Sequence, residues 1–350
     1  MFRELKSARC TPEATVLCIL KNEIFFLPAF LDHYRKLGVE QFVFLDDRSD
    51  DGTREYLMAQ PDCAVVGSDL TFAELVDGKK AHYWWRTALP QTYCNGRWSL
   101  LVDADELLEL PPGFEDINTF VDYLDSCGRT AVGAVMVDFY PEWARELRNH
   151  ETPQSKEELL ARYPYFDDCD YGGWVDGQNE FRGRQNGVRQ RLVREHQIPL
   201  YGRRRSAPLP RMKAALRGLF GIQKSKPFCA LSKVPLIRWD DGWRYEGPHK
   251  ANRPPDPGIQ LPLLHFKFTS SLLQKVDFAI ASEAYDQQSS EYRSYRDLLN
   301  VMIESDASFL CELSHKYSGK QDFLPNRILR FDVDDRAAPA SARDMTCHNR

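Results

Sequence analysis

The chain opens as an alternation of short apolar runs and mixed segments. Residues 15–20, TVLCIL, are continuously apolar over a length that suits a parallel strand covered on both faces. Residues 25–37 then carry Phe26, Leu27, Phe30, Leu31 and Tyr34 at helical spacing, and Gly38 closes that helix as its C′ residue. QFVFL at residues 41–45 predicts a second strand, residues 54–59 a helix, and residues 64–67 a third strand. Residues 79–94 predict a helix containing His82, Tyr83, Trp84 and Trp85, an aromatic group expected in the core, with Asn95 and Gly96 as its stop. Residues 99–103 form a fourth strand, residues 117–127 a helix, and residues 131–137 a fifth strand that ends on Asp138. Strands alternating with helices in this way predict an α/β fold, Rossmann-like and doubly wound, around a mainly parallel sheet.

In such a sheet the ligand crevice lies beyond the carboxyl ends of the strands. Three strands end there on acids: Asp46 and Asp47 close the second, Asp103, Asp105 and Glu106 follow the fourth, and Asp138 ends the fifth. Carboxylates crowded this closely repel one another unless a cation or a donor-rich ligand neutralises them. A hard divalent ion carrying a diphosphate would do so, because Mg²⁺ typically takes one or two protein carboxylates and completes its shell from phosphate and water. A plainer reading has Asp103 and Asp105 capping a helical turn. The turn DDRSDDGT also places Asp47, Ser49, Asp51 and Gly52 as in a calcium loop, but position 12 is Met58 and a strand precedes it, so Ser49 or Asp50 capping the next helix is the simpler reading.

LCILKNEIFFLPAFLDHYRKLGVEQFVFLDDRSDDGT followed by WSLLVDADELLEL resembles the family 2 type GT-A glycosyltransferases, in particular the bacterial branch with KNE, DDxSxDGT and DxDE motifs. The resemblance is clear from Thr15 to about Tyr140 and patchier beyond. It implies a nucleotide-sugar donor, a UDP-sugar foremost, held by Asn22, Glu23, Asp46 and Asp47, with Asp47 on the base or ribose. It also implies that Asp105 is a ligand of Mn²⁺ or Mg²⁺ and that Asp103 is its metal-side or ribose-side partner. LSKVPLIRW and LLHFKFTSSLLQKVDFA resemble the later part of the same branch. They imply His265 as a further metal ligand, with His249 as a weaker alternative, and Lys267 as a phosphate contact. The family's usual Glu-Asp base motif is absent, and Asp176 and Glu180 are the candidates for the base that takes the acceptor's proton.

These expectations divide the chain into a nucleotide-sugar-binding core at 1–140, an acceptor-side region completing the sheet at 141–270, C-terminal helices at 271–330 and a low-complexity tail at 331–350. Residues 163–181, rich in acids, glycines and aromatics, read as an acceptor-side loop region. Residues 187–195, GVRQRLVRE, alternate as a strand with arginines on one face. Residues 271–285 and 291–309 predict two helices.

Charge changes the picture in one place. The chain carries −5 overall, yet residues 182–226 hold thirteen Lys or Arg against the single acid Glu195. Within them, residues 210–220 predict a basic amphipathic helix suited to a peripheral contact with an anionic membrane surface, where a glycan or lipid-linked acceptor would be met; the alternative is a solvated insert. Nucleic acid is not expected as a partner, because the basic run lacks interleaved aromatics and the chain as a whole is acidic. Nine cysteines without a CxxC pair fit reduced cytosolic thiols, and no apolar run approaches a membrane span, so the expected location is cytoplasmic or at the inner membrane face. Two other functions fit the same motifs. A nucleotidyltransferase shares the carboxylate-bound cation but usually has a glycine-rich basic loop after its first strand, which KNEIFFLP lacks, and a degenerate GT-A domain would bind nucleotide or glycan without turnover.

Overall fold

The computed structural model describes residues 2–7, 14–175, 180–183, 187–199, 231–282 and 286–331, with no description of the side chains of 174–180, 182–186 and 282–290. The expected basic helix at 210–220 and the tail beyond 331 lie outside the described residues.

The elements run β1 (Phe2–Lys6), β2 (Thr15–Leu20), α1 (Leu27–Lys36), β3 (Gln41–Asp46), α2 (Thr53–Ala59), β4 (Cys63–Ser68), the short pair β5 (Leu75–Val76) and β6 (Lys79–Lys80), α3 (Ala81–Tyr93), β7 (Trp98–Leu101), β8 (Glu106–Leu108), α4 (Ile117–Ser126) and β9 (Ala131–Asp138). They continue with α5 (Lys156–Arg162), β10 (Tyr165–Asp167), β11 (Gly172–Val175), β12 (Glu180–Gly183), α6 (Val188–Glu195), β13 (Ser232–Arg238), β14 (Ile259–His265), α7 (Ser271–Ser282), α8 (Asp286–Glu304), β15 (Ser314–Lys316) and β16 (Arg330–Phe331).

The main sheet has the order β1-β4-β3-β2-β7-β13-β9-β14-β16, with β8 also pairing β14. Strands β4, β3, β2 and β7 are mutually parallel, and β9 is parallel to β14. Because β13 runs antiparallel to both β7 and β9, those two groups point the same way and deliver six carboxyl ends, of β2, β3, β4, β7, β9 and β14, to one edge. The fold is the expected α/β one.

Alternation within the strands explains why they read as continuous apolar runs. Val16, Cys18 and Leu20 face one core with residues of α1 and α4, while Leu17 and Ile19 face a second with Trp85 and Leu89 of α3 and Trp239 and Trp243. Burial on both faces is what removes the polar positions. Helix α1 begins with Pro near its first turn, and Gly38 follows its end at φ 81, where a side chain would be strained. A third core joins α6, α7 and α8 to Tyr140 and Phe268.

Three expectations change. Residues 187–195 are a helix, α6, because Val188, Leu192 and Val193 lie on one buried side at helical spacing, with Arg189 buried among them in an ion pair. The described residues 163–175 include core elements rather than loop alone: Tyr163, Phe166 and Tyr171 are at most 1% exposed, and Tyr165–Asp167 forms β10 against β15. The residues after Asp103 make a tight turn into β8 rather than a helical turn.

Candidate functional site

The crevice at the shared strand edge has two walls. The first is built by the turns after β2 and β3. Asn22 adopts φ 57 and pairs with Asp50 twice, its Nδ2 donating to Oδ1 at 2.7 Å and its Oδ1 accepting from the Asp50 amide at 2.9 Å. Ser49 Oγ accepts from the Asn22 amide at 2.9 Å, and Thr53 Oγ1 from the Glu23 amide at 2.9 Å. Ser49 and Asp50 therefore cross to the neighbouring turn, and it is Asp51 that accepts from the Thr53 amide at the start of α2, at 2.9 Å. Asp46 is held by Arg54, whose Nε lies 2.6 Å from Oδ2, and its side chain is fully buried, so it shapes this turn from within. Asp47 accepts from the Phe72 amide at 2.9 Å through one oxygen, and burial raises its pKa against that hydrogen bond and Lys21.

The second wall gathers around the acidic motif, whose three carboxylates part company. Asp103 is claimed by Arg86 of α3 at 2.8 Å and Lys233 of β13 at 3.3 Å. Burial would raise its pKa, but these two cations outweigh burial and hold the carboxyl well below its usual range, with His249 adding to the positive field. Glu106 takes the other side of Lys233 at 2.5 Å and accepts from the Asp103 amide at 2.8 Å. Burial raises the Glu106 pKa, Lys233 opposes it, and Asp103 adds to it.

Asp105 turns the other way. The register of β14 places His265 opposite Asp138 of β9 on one side and Glu106 of β8 on the other, and the Phe266 amide donates to the Asp105 carbonyl at 2.9 Å. His265 Nδ1 meets Asp138 Oδ1 at 2.5 Å, and its Nε2 lies 3.8 Å from Asp105 Oδ2. Lys275 of α7 bridges Asp105 at 3.3 Å and Glu23 at 2.9 Å. Burial would raise the Asp105 pKa, but Lys275, His265 and Lys267 outweigh it and hold the group low. Glu23 goes the other way, pushed up to about 7 by burial against the pull of Lys275, and its Oε2 is a buried acceptor without a hydrogen-bond partner.

Of the expected metal ligands, then, Asp105 and His265 converge and Asp103 is engaged elsewhere. Among the described residues no three His, Cys, Asp or Glu side chains form a ready cage for a metal. The donor set nevertheless fits a hard divalent ion: one carboxylate, one imidazole whose second nitrogen is held by a carboxylate, and remaining positions for phosphate and water. Lys267 lies 5.5 Å from the Tyr292 and Tyr295 ring centroids and adds positive field at Asp105. Asp176 is outside the described residues; Glu180 opens β12, with its side chain outside them. The expected core aromatics are divided, Trp85 being fully buried and Trp84 44% exposed.

Sequence reasoning did not find Arg86, Lys233, Lys275 or Arg189 as partners. Lys233 alone left a signal, a lysine inside the apolar strand SKVPLI, where an ammonium must be paired.

No protein-family model matches the chain, and no curated protein matches it. Among solved structures it is similar to a UDP-glucose pyrophosphorylase from Acinetobacter baumanii, at 12% identity and a TM-score of 0.23, over 39% of this chain and 59% of that one. The likeness is too partial to carry a substrate or a reaction across. Among the described residues no helix is long and apolar enough to cross a membrane.

Proposed function

We propose that the chain is a GT-A type glycosyltransferase that transfers a sugar from a UDP-sugar to a hydroxyl of a glycan or lipid-linked acceptor, with the help of Mn²⁺ or Mg²⁺. The observation that carries this reading is the pairing of Asp105 with His265 Nε2, 3.8 Å apart, at the same sheet edge as Asp47. Asp105 and His265 would hold the ion, which when bound would neutralise charge on a leaving diphosphate. Asp47 would accept hydrogen bonds from the uracil or ribose, while Asn22 and Asp50 keep its turn in place. Lys275 and Lys267 supply positive charge beside Asp105, where a diphosphate would lie. Asp103, locked between Arg86 and Lys233, fixes the backbone from which Asp105 projects. The proton of the acceptor hydroxyl would pass to Asp176 or Glu180.

The test is a panel of UDP-sugars incubated with and without Mn²⁺, reading released UDP, with a parallel arm supplying UTP and sugar 1-phosphates and reading pyrophosphate. Mn²⁺-dependent UDP release supports the proposal. Pyrophosphate release alone would replace it with nucleotidyl transfer, and UDP binding without release in either arm with a binding domain.

A further inference from the structure

A ladder of alternating charge runs from the C-terminal helices to the candidate cation site. Glu291 of α8 accepts from Tyr295 Oη at 2.9 Å and lies 3.9 Å from Arg189 Nη1 of α6. Arg189 Nε donates to Asp138 Oδ2 at 3.1 Å, and its Nη2 reaches Oδ1 at 3.5 Å. Asp138 Oδ1 takes His265 Nδ1, and His265 Nε2 faces Asp105. Arg189 is 5% exposed and Asp138 fully buried, so solvent does not compete for either. Gly187, the N-cap of α6, sits so close that a Cβ there would lie 3.3 Å from Asp138 Oδ2.

The two oxygens of Asp138 thus have divided duties. Arg189 spans both, gripping Oδ2 more closely, which fixes the carboxylate plane, and Oδ1 is the one aimed at Nδ1. A carboxylate that receives Nδ1–H leaves Nε2 with its lone pair, the state in which imidazole binds a metal. We propose that Arg189 is a positioning residue: through Asp138 it holds His265 in the Nδ1–H tautomer, with the Nε2 lone pair presented beside Asp105 to a divalent cation. Without Arg189 the carboxylate is free to turn and the ring to exchange tautomers. The final step, delivery to a cation, rests on the reading of Asp105 and His265 given above; the control of the tautomer does not.

The experiment uses metal-free protein labelled with ¹⁵N-histidine, with His265 assigned by Histidine-to-glutamine substitution (His265→Gln), and Mn²⁺ affinity measured on the same samples. At a pH where the ring is neutral, wild type should give a single Nδ1–H signature. Arg189→Met should give mixed or averaged tautomers and weaken Mn²⁺ about tenfold or more, the range seen when outer partners of metal ligands are removed. Arg189→Lys should restore part of both. Asp138→Asn, close to isosteric, should impose the opposite tautomer, because its amide donates to Nδ1, and serves if Arg189→Met does not fold. A wild-type tautomer retained in Arg189→Met, or in Asp138→Asn where that variant stands in, overturns the proposal. A tautomer that shifts in protein that never binds Mn²⁺ overturns only the cation reading and leaves Arg189 in its positioning role.

Discussion

The two walls of the crevice are made by different means. The wall around Asn22, Asp46 and Asp47 is held by side chains bonding to backbone amides and to each other across two adjacent turns, all between residues 20 and 54 apart from Phe72. The wall around Asp105 is held by side chains brought from four elements far apart in sequence: the charged Arg86, Lys233 and Lys275, and the imidazole of His265. A wall of local hydrogen bonds, most of them only partly buried, is adjustable and individually cheap to disturb. A wall of buried ion pairs is all-or-none, because removing one partner leaves the other charged and dry.

That contrast predicts its largest effect at Lys233, 1% exposed between Asp103 and Glu106. Lys233→Met should cost about 3–5 kcal/mol in chemical denaturation, the usual result of stranding a buried charge. A cost below about 1 kcal/mol would mean that Glu106 takes a proton without penalty and that the pair does not hold the wall together.

The second effect separates the walls by ligand. Asp105→Asn should weaken Mn²⁺-dependent UDP binding about 100-fold, roughly the 1.5–3 kcal/mol of a lost charged contact, and leave Mn²⁺-free uridine binding unchanged. Asp47→Ala should weaken uridine and UDP alike by about tenfold and leave Mn²⁺ affinity alone. Titration calorimetry with uridine, UDP and Mn²⁺ checks both, and a matching loss in the two variants would dissolve the distinction.

The same contrast explains what could be read from the chain beforehand. Strands β2, β3, β7 and β9 were legible because burial on both faces strips them of polar residues, and the acids at their ends stood out for that reason. The local wall was legible as a motif, although the partners of Ser49 and Asp50 were not, since a short polar side chain serves a helix cap or a neighbouring turn equally well. The charged wall was not legible. Nothing in GVRQRLVRE says that Arg189 will meet Asp138, 51 residues away, and its helical period is hidden because the buried Arg189 and the half-buried Arg191 occupy positions that pattern reading assigns to solvent. Of this wall only His265 and Asp105 are brought together from the sequence, by the family resemblance rather than by any local pattern.

Behind the charged wall α1 packs on β8, where Tyr34 Oη donates to the Glu106 carbonyl at 3.0 Å and His33 Nε2–H donates to the Leu108 carbonyl at 2.9 Å. Burial, with Lys156 adding to it, lowers the His33 pKa from 6.5 to about 3. Between those values the unfolded chain binds a proton that the folded one refuses, so the stability His33 permits is complete above pH 6.5 and is lost as pH falls toward 3. At pH 5 the loss should be about 2 kcal/mol relative to pH 7.5. His33→Gln, which still offers a donor to Leu108, should lose about 2 kcal/mol less over the same interval in paired denaturation curves. Equal pH sensitivity would show that the seam admits water and a charged imidazole.

The smallest effect belongs to the local wall and divides into two parts. Asn22 holds φ 57, which costs an ordinary L-residue about 1 kcal/mol or more but is tolerated by Asn and free for Gly, and its side chain makes the two bonds to Asp50. Asn22→Gly keeps the backbone freedom and loses the bonds, whereas Asn22→Ala loses both. Partly exposed hydrogen bonds contribute about 0.5–1.5 kcal/mol each at most, so Asn22→Gly should cost about 1 kcal/mol and Asn22→Ala about 1 kcal/mol more. Uridine affinity should fall in the same order, because the turn that relaxes is the one placing Asp47, while Mn²⁺ affinity should stay level in both. If the Gly and Ala variants are equally stable, the bonds to Asp50 alone hold the turn and the left-handed residue adds nothing. If Mn²⁺ affinity falls with them, strain at Asn22 reaches Asp105 through Glu23 and Lys275, and the two walls act as one.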